Sequence, residues 1–119
     1  MITTLPLLAD GETYAGLLLN ADGTPSPHLI LLPGKVEDTN GEKSMKWAES
    51  IGGKLPTLQE QALLYATMRG EFKPEWYWSG ELHEPDSGTA WYQYFLNGDQ
   101  YSYPLPAGLR ARAVRRLPV

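Results

Sequence analysis

Aromatic side chains crowd into one part of this sequence, and their arrangement constrains the fold more than any other feature. Of the 13 Phe, Trp and Tyr residues, 9 lie between Trp76 and Tyr103. They alternate with polar residues and are separated by turn formers, a pattern typical of short β-strands. The C-terminal half is therefore predicted to form a sheet, with strands over residues 76–82, 90–96, 99–103 and 109–117.

Asn97-Gly98 is the strongest short-range hairpin signal in the chain, because a type I′ turn needs positive φ at both central positions. A two-residue turn there pairs Leu96 with Asp99, Tyr94 with Tyr101 and Tyr92 with Tyr103. Since side chains alternate along a strand, the register predicts four tyrosines on one side of the ribbon: Tyr92, Tyr94, Tyr101 and Tyr103. The other side receives Trp91, Gln93, Phe95, Gln100 and Ser102.

The N-terminal half predicts a hairpin and two helices. Apolar runs at residues 12–19 and 28–32 flank a turn-rich segment at 20–25. Thr39 with Glu42, and Thr57 with Glu60, have the spacing of capping boxes, so helices are expected to begin at both threonines. The expected core positions are Met45, Trp47, Ala48 and Ile51 in the first helix, and Ala62, Leu63, Tyr65, Ala66 and Met68 in the second.

The predicted order β-β-α-α-β-β-β-β indicates an α+β fold. The length of 119 residues and the lack of any long linker indicate one domain over residues 1–119. The longest apolar runs, at 15–19 and 29–33, are too short to span a bilayer, and no secretion signal is recognisable at the start. A cytoplasmic or virion-associated location is therefore expected.

Charge and cysteine content exclude several function classes. The chain contains no cysteine, which excludes disulfides, thiolate nucleophiles and cysteine-based metal sites. The net charge of −4 argues against duplex nucleic acid as a ligand. The last ten residues are basic, and we interpret their arginines as partners of the surplus acids, with contact to an acidic partner as the alternative: Arg110, Arg112, Arg115 and Arg116.

Three segments, in this order, resemble a known pattern: Lys54-Leu55-Pro56-Thr57, then Trp76-Tyr77-Trp78-Ser79-Gly80 followed by Ala90-Trp91-Tyr92, and last Arg112-Ala113-Val114-Arg115. The pattern resembles the C-type-lectin-like superfamily over roughly residues 40–117. It is most similar to the bacterial and phage family named for the C-terminal domain of collagen-like adhesins, which is related in fold to the formylglycine-generating enzymes.

The resemblance implies a C-type-lectin-like domain, with two helices packed on a twisted, mostly antiparallel sheet, that binds a protein or glycan ligand. It implies no activity, because formylglycine-generating enzymes oxidise their substrate through a cysteine pair and this chain has no cysteine. We therefore expect a non-catalytic recognition domain without a cofactor, of the kind that phages and prophages encode, which binds through residues 76–105. The alternative is a small cytoplasmic effector or inhibitor that docks on a host protein.

The predicted ligand-binding residues are the four tyrosines together with His83, Glu84 and Asp86. Glu84-Pro85-Asp86 resembles the calcium and sugar motif of C-type lectins, but the later oxygen ligands of that motif are absent, so no metal site is expected. A hydrolytic group of Ser79 or Ser87, His83 and Asp86 is the weaker alternative. The tyrosines could instead pack across the strands. The expected scaffold residues are Trp47, Trp76, Trp78, Trp91 and Phe95.

Overall fold

A computed structural model describes residues 7–83 and 88–119 of the protein. The helices and strands within these ranges are β1 (Thr13–Gly16), β2 (His28–Leu31), β3 (Val36–Thr39), α1 (Gly41–Ser50), α2 (Leu58–Met68), β4 (Trp76–Leu82), β5 (Thr89–Tyr94), β6 (Gln100–Pro104), β7 (Leu109–Ala111) and β8 (Val114–Leu117). A short 3-10 turn, Arg69–Glu71, follows α2. No helix in the described ranges is both long and apolar enough to cross a bilayer.

Across the described residues the strands form two sheets. One has three strands in the order β1-β2-β8, and the other has five in the order β3-β7-β4-β5-β6. Strand pairs are antiparallel except for β4 with β7, which is parallel. The predicted α+β class is confirmed, and so is the N-terminal hairpin, in which β1 pairs with β2.

The predicted strand over residues 109–117 is wrong, because the chain leaves one sheet after β7 and enters the other at β8. Arg112 lies at the break, and its guanidinium donates hydrogen bonds to the carbonyl oxygens of Leu32 and Glu71. The next residue, Ala113, accepts a hydrogen bond from the Leu32 amide at 3.0 Å. These bonds anchor the crossover, so residues 109–117 do not form one continuous strand.

One predicted capping box is confirmed and the other is wrong. The Thr57 hydroxyl accepts from the Glu60 amide at 3.1 Å, and the Glu60 carboxylate accepts from the Thr57 amide at 2.9 Å. Thr39, in contrast, is the last residue of β3, and Asn40 caps α1 by accepting from the Lys43 amide. Asn is among the strongest N-cap residues, and pairing of β3 with β7 holds Thr39 in the sheet.

Hydrophobic clusters cover both faces of the five-stranded sheet. The first contains Ala48 of α1 with Trp78 and Tyr92, and the second contains Leu64 of α2 with Tyr77 and Phe95. The predicted core is correct for Trp78 and Phe95, while Trp47 and Trp91 are partly buried. It is wrong for four residues that are exposed, namely Ile51, Ala62, Ala66 and Trp76. In α2 the fully buried residues are Gln61 and Leu64 instead.

The predicted hairpin register is wrong by two residues. Tyr92 pairs with Tyr101 and Ala90 with Tyr103, and the strands are joined by a longer loop over residues 95–99. The Tyr94 amide donates to the Asp99 carbonyl and the Gly98 amide donates to the Tyr94 carbonyl, so the turn closes on Tyr94 and Phe95 is free to bury its side chain in the second cluster. A shift of two residues keeps each side chain on its face, so the four tyrosines still share one side.

Candidate functional site: an aromatic sheet face

Five aromatic side chains from β4, β5 and β6 form one surface, called the aromatic face from here on: Trp76, Tyr92, Tyr94, Tyr101 and Tyr103. Tyr92 lies at the centre, with its ring centroid 5.5 Å from that of Trp76 and 6.1 Å from those of both Tyr101 and Tyr103. Trp76 also meets the Tyr94 ring edge-on, with the centroids 5.8 Å apart. Such spacings are those of interacting aromatic pairs, so the face is a packed unit.

The five members differ in exposure, and the difference separates a buried side chain from accessible ones. Tyr92 is only 7% exposed and belongs to the first hydrophobic cluster. Burial raises the pKa of its phenol, with smaller contributions from Tyr101 and Tyr103. Trp76, Tyr101 and Tyr103 are 40%, 53% and 42% exposed, and Tyr94 is half-buried. The buried ring of Tyr92 thus supports the more accessible rings of Trp76, Tyr101 and Tyr103.

The aromatic face lies beside the part of the sheet where Ala48 of α1 packs in one cluster with Trp78. Trp78, two residues further along β4, is fully buried, and its indole donates a hydrogen bond to the Thr39 carbonyl at 2.8 Å. Trp76 stands at the first position of the same strand. Both tryptophans were expected in the scaffold because the resembling family keeps its tryptophans beneath the loops, and this expectation is wrong for Trp76.

A cleft of about 240 Å³ lies beside Trp76, lined by Glu37, Asp38, Glu75, Trp76, Gly108, Leu109 and Arg110. Arg110 forms an ion pair with Glu37 and lowers the pKa of that carboxyl. Asp38 has φ of 48°, a region that Asp and Asn adopt more readily than most residues. A Cβ at position 108 would overlap the Asp38 carboxylate, so glycine at 108 makes room for it. No motif in the sequence pointed to this cleft.

The structure separates the remaining predicted site residues from the tyrosines. His83 follows the last residue of β4, is exposed, and packs against Trp91 with the ring centroids 5.0 Å apart. Trp91 points to the side of the ribbon opposite Tyr92, so His83 is not part of the aromatic face. Glu84 and Asp86 lie outside the described residues, as does Ser87.

Ser79, the other hydroxyl in the hydrolytic alternative, is engaged in the scaffold. It is fully buried, donates to the Trp91 carbonyl at 2.7 Å and accepts from the Glu81 amide at 3.1 Å. Its contacts are those of a residue that joins β4 to β5. Among the described residues, no group of three or more His, Asp or Glu side chains is placed to hold a metal ion.

The C-terminal arginines bind groups within the chain. Arg110 pairs with Glu37, Arg115 with Glu12 at 2.7 Å and Arg116 with Glu60 at 2.6 Å, while Arg112 donates to backbone carbonyls and lies over the Phe72 ring. Pairing with the surplus acids, one of the two interpretations of the basic C-terminus, therefore describes three of the four.

The Glu12–Arg115 pair gives a testable pH dependence. Hydrogen bonds from Arg115 lower the pKa of Glu12 from 4.5 to about 2. Because the folded-state pKa is depressed, ionised Glu12 stabilises the fold fully above pH 4.5, and this contribution is lost as the pH falls towards about 2. We expect Glu12→Gln to lower the free energy of unfolding by about 1–2 kcal/mol at neutral pH.

Denaturant unfolding of both proteins at a series of pH values measures this difference. The gap between wild type and Glu12→Gln should close steadily between pH 4.5 and about 2. A gap that stays constant over that interval would contradict the assignment.

No protein-family model matches the chain, and no curated protein matches it either. The aromatic face and the motifs in the sequence are therefore the features that bear on function.

Proposed function

We propose that the protein is a non-catalytic recognition domain that binds a protein or glycan surface through its aromatic face. The observation that carries the proposal is the joint exposure of Trp76, Tyr101 and Tyr103 on one side of a sheet. Tyr and Trp provide large contact areas at low entropic cost and are enriched in binding hot spots. Adjacent exposed aromatic rings of this kind mark an interaction surface more often than isolated apolar residues do.

The support beneath the exposed rings favours recognition over accidental exposure. Each of Trp76, Tyr101 and Tyr103 contacts the buried ring of Tyr92. The Tyr101 hydroxyl also donates to the Asp99 carboxylate at 3.3 Å. Rings held in this way lose little further freedom when a ligand binds, which improves affinity.

We propose further that the domain is C-type-lectin-like, of the bacterial and phage family described above. The support is that the three motif segments contact one another. Lys54 and Val114 exchange two backbone hydrogen bonds of 2.8 Å, which joins the first segment to the last. The Gly80 amide donates to the Pro56 carbonyl at 2.8 Å, and Ser79 bonds to Trp91. The motif residues thus connect β8 of one sheet and β4 of the other to the segment that precedes α2.

The proposed function is tested with a random peptide display library and a glycan array, both probed with the whole chain. The triple variant Trp76→Ala/Tyr101→Ala/Tyr103→Ala should lose at least about tenfold in affinity for whatever the wild type selects, since each hot-spot aromatic contributes about 1–2 kcal/mol or more. Its melting temperature should stay well above the assay temperature, because the three side chains are 40%, 53% and 42% exposed and the buried ring of Tyr92 is kept.

The matched control is Leu19→Ala/Ile51→Ala, which removes exposed apolar side chains outside the aromatic face. It should bind as the wild type does. Equal binding by the triple variant, or no ligand in either panel, would reject the proposed function.

A further inference from the structure

We propose that the protein associates with a second copy of itself through the free edge of β6, so that two five-stranded sheets join into one. This inference does not depend on the proposed function, because it rests on the backbone of β6. Strand β6 is the last in the order β3-β7-β4-β5-β6. One of its edges pairs with β5, and no described strand pairs with the other.

Two hydrogen bonds show which backbone groups of β6 bond to β5. At one end of the pair the Tyr94 amide donates to the Asp99 carbonyl at 2.8 Å, and at the other end the Leu105 amide donates to the Gly88 carbonyl at 2.9 Å. Hydrogen-bonded positions alternate along an antiparallel pair. The odd-numbered residues of β6 therefore bond to β5, and the amides and carbonyls of the even-numbered residues point to the free edge.

The even-numbered residues of β6 are Gln100, Ser102 and Pro104. In the described part of the chain, the backbone amide and carbonyl groups of Gln100 and Ser102 have no hydrogen-bond partner. Pro104 has no amide hydrogen, and its carbonyl accepts from the Ala107 amide at 3.0 Å. The donors and acceptors available at the free edge are thus those of Gln100 and Ser102.

The other edge strands of the described residues are protected against pairing, as edge strands of soluble proteins usually are. The register of β1 and of β3 is irregular, and β3 carries Glu37 and Asp38. Strand β8 carries Arg115 and Arg116, and Val114 at its start already exchanges backbone hydrogen bonds with the Lys54 segment. Strand β6, in contrast, pairs with β5 without a bulge and contains no charged residue.

A second copy of β6 satisfies all the free backbone groups. When the two strands run antiparallel about a two-fold axis at Tyr101, Gln100 of each copy pairs with Ser102 of the other, and each pair exchanges two N–H···O=C bonds. Tyr101 then lies opposite its own copy, and aromatic pairs across strands are favourable. Asp99 lies opposite Tyr103 of the other copy, so no like charges meet.

Symmetry favours a second copy over a strand of another protein, because the donors, acceptors and exposed Tyr101 ring of the two copies match. The contact uses the same strand of both copies, so it is isologous and closes at a dimer. Side chains keep their side of the sheet across an antiparallel pair. The two aromatic faces therefore lie next to each other on one side of the joined sheet.

Sedimentation equilibrium of the whole chain, from about 10 µM to about 1 mM, tests the association. A reversible monomer–dimer equilibrium within this range is expected, because the edge of one short strand is a small interface. The decisive variant is Ser102→Pro, which removes an amide from the free edge. Its Kd for dimerisation should rise at least about tenfold. Edge strands tolerate proline where the amide faces outward, so the pairing of β6 with β5 should be kept.

Ser102→Ala is the matched control, because it changes the side chain and keeps the amide, and it should dimerise as the wild type does. If Ser102→Pro fails to unfold cooperatively on heating, Tyr101→Lys takes its place. That variant puts like charges opposite each other at the two-fold axis, so its Kd should also rise at least about tenfold.

Amide hydrogen exchange, followed by NMR at low and high protein concentration, locates the interface. The exchange rates of the Gln100 and Ser102 amides should fall in proportion to the monomer fraction, because only the dimer protects them. The Tyr101 and Tyr103 amides, which bond to β5, should be protected at both concentrations. This alternation distinguishes pairing through β6 from contact through side chains alone.

Three results would overturn the inference. They are a chain that stays monomeric at about 1 mM, a dimer that leaves the Gln100 and Ser102 amides unprotected, and a dimer that is unaffected by a folded Ser102→Pro or Tyr101→Lys variant. Protection of these amides only after a peptide from the display library is added would also overturn it, in favour of a strand from another protein. The proposed function is judged separately, by ligand binding in the display library and the glycan array.

Discussion

Tyr92→Ala should lower the free energy of unfolding by about 3–5 kcal/mol, the range typical of large-to-small replacements in a core. Tyr92 is 7% exposed and contacts the rings of Trp76, Tyr101 and Tyr103. Removing its ring leaves a cavity and takes away the support beneath the accessible aromatic residues. The midpoint and slope of denaturant unfolding give this value directly.

Tyr101→Ala is the matched control, because it removes the same side chain from the same face at a position that is 53% exposed. Its cost should stay below about 1 kcal/mol, as for most surface replacements. Tyr92→Phe should also be mild, since it keeps the ring and removes only the hydroxyl. A loss of more than about 3 kcal/mol in Tyr101→Ala as well would show that the whole face is a core, and the proposed function would then lose its surface.

Strong local signals in the sequence predicted most elements of the fold. The Thr57 box predicted the start of α2, and alternation around Trp78 predicted the bounds of β4 as they occur. The common face of the tyrosines was also predicted, although the register was not. Strand periodicity decides the face, whereas the register depends on where the buried side chain of Phe95 is held by the rest of the core.

Features that depend on contacts between distant residues were not predicted from the sequence. Strand β3 has one apolar residue, Val36, and its strand conformation depends on pairing with β7. The break between β7 and β8 depends on carbonyl groups of Leu32 and Glu71, which are far from Arg112 in the chain. For the site, Trp76 carried the same strand signal as a core residue. Its exposure depends on which elements pack over the first residue of β4, and no local pattern in the sequence shows that.

A buried network of glutamine side-chain amides is the other feature that no sequence pattern predicted. Gln93 is fully buried, and its side-chain amide donates to the Gln61 backbone carbonyl at 2.7 Å. Its side-chain oxygen accepts from Gln100 at 2.9 Å, and the Gln100 amide also donates to the Leu58 carbonyl. Gln61 in turn donates to the carbonyls of Tyr77 and Trp78. These bonds fasten α2 to β4, β5 and β6, the strands that carry the aromatic face.

Gln93→Ala should therefore lower the free energy of unfolding by about 2–5 kcal/mol, because it creates a cavity and leaves buried polar groups without a partner. Gln93→Met keeps most of the volume and removes the amide, so its cost of about 1–3 kcal/mol isolates the hydrogen bonds. The control is Gln59→Ala, on the exposed side of α2. It should change the free energy of unfolding by less than about 0.5 kcal/mol. If Gln93→Ala is as mild as Gln59→Ala, the network does not hold α2 to the sheet, and the rigidity ascribed to the aromatic face must come from the stacking on Tyr92 alone.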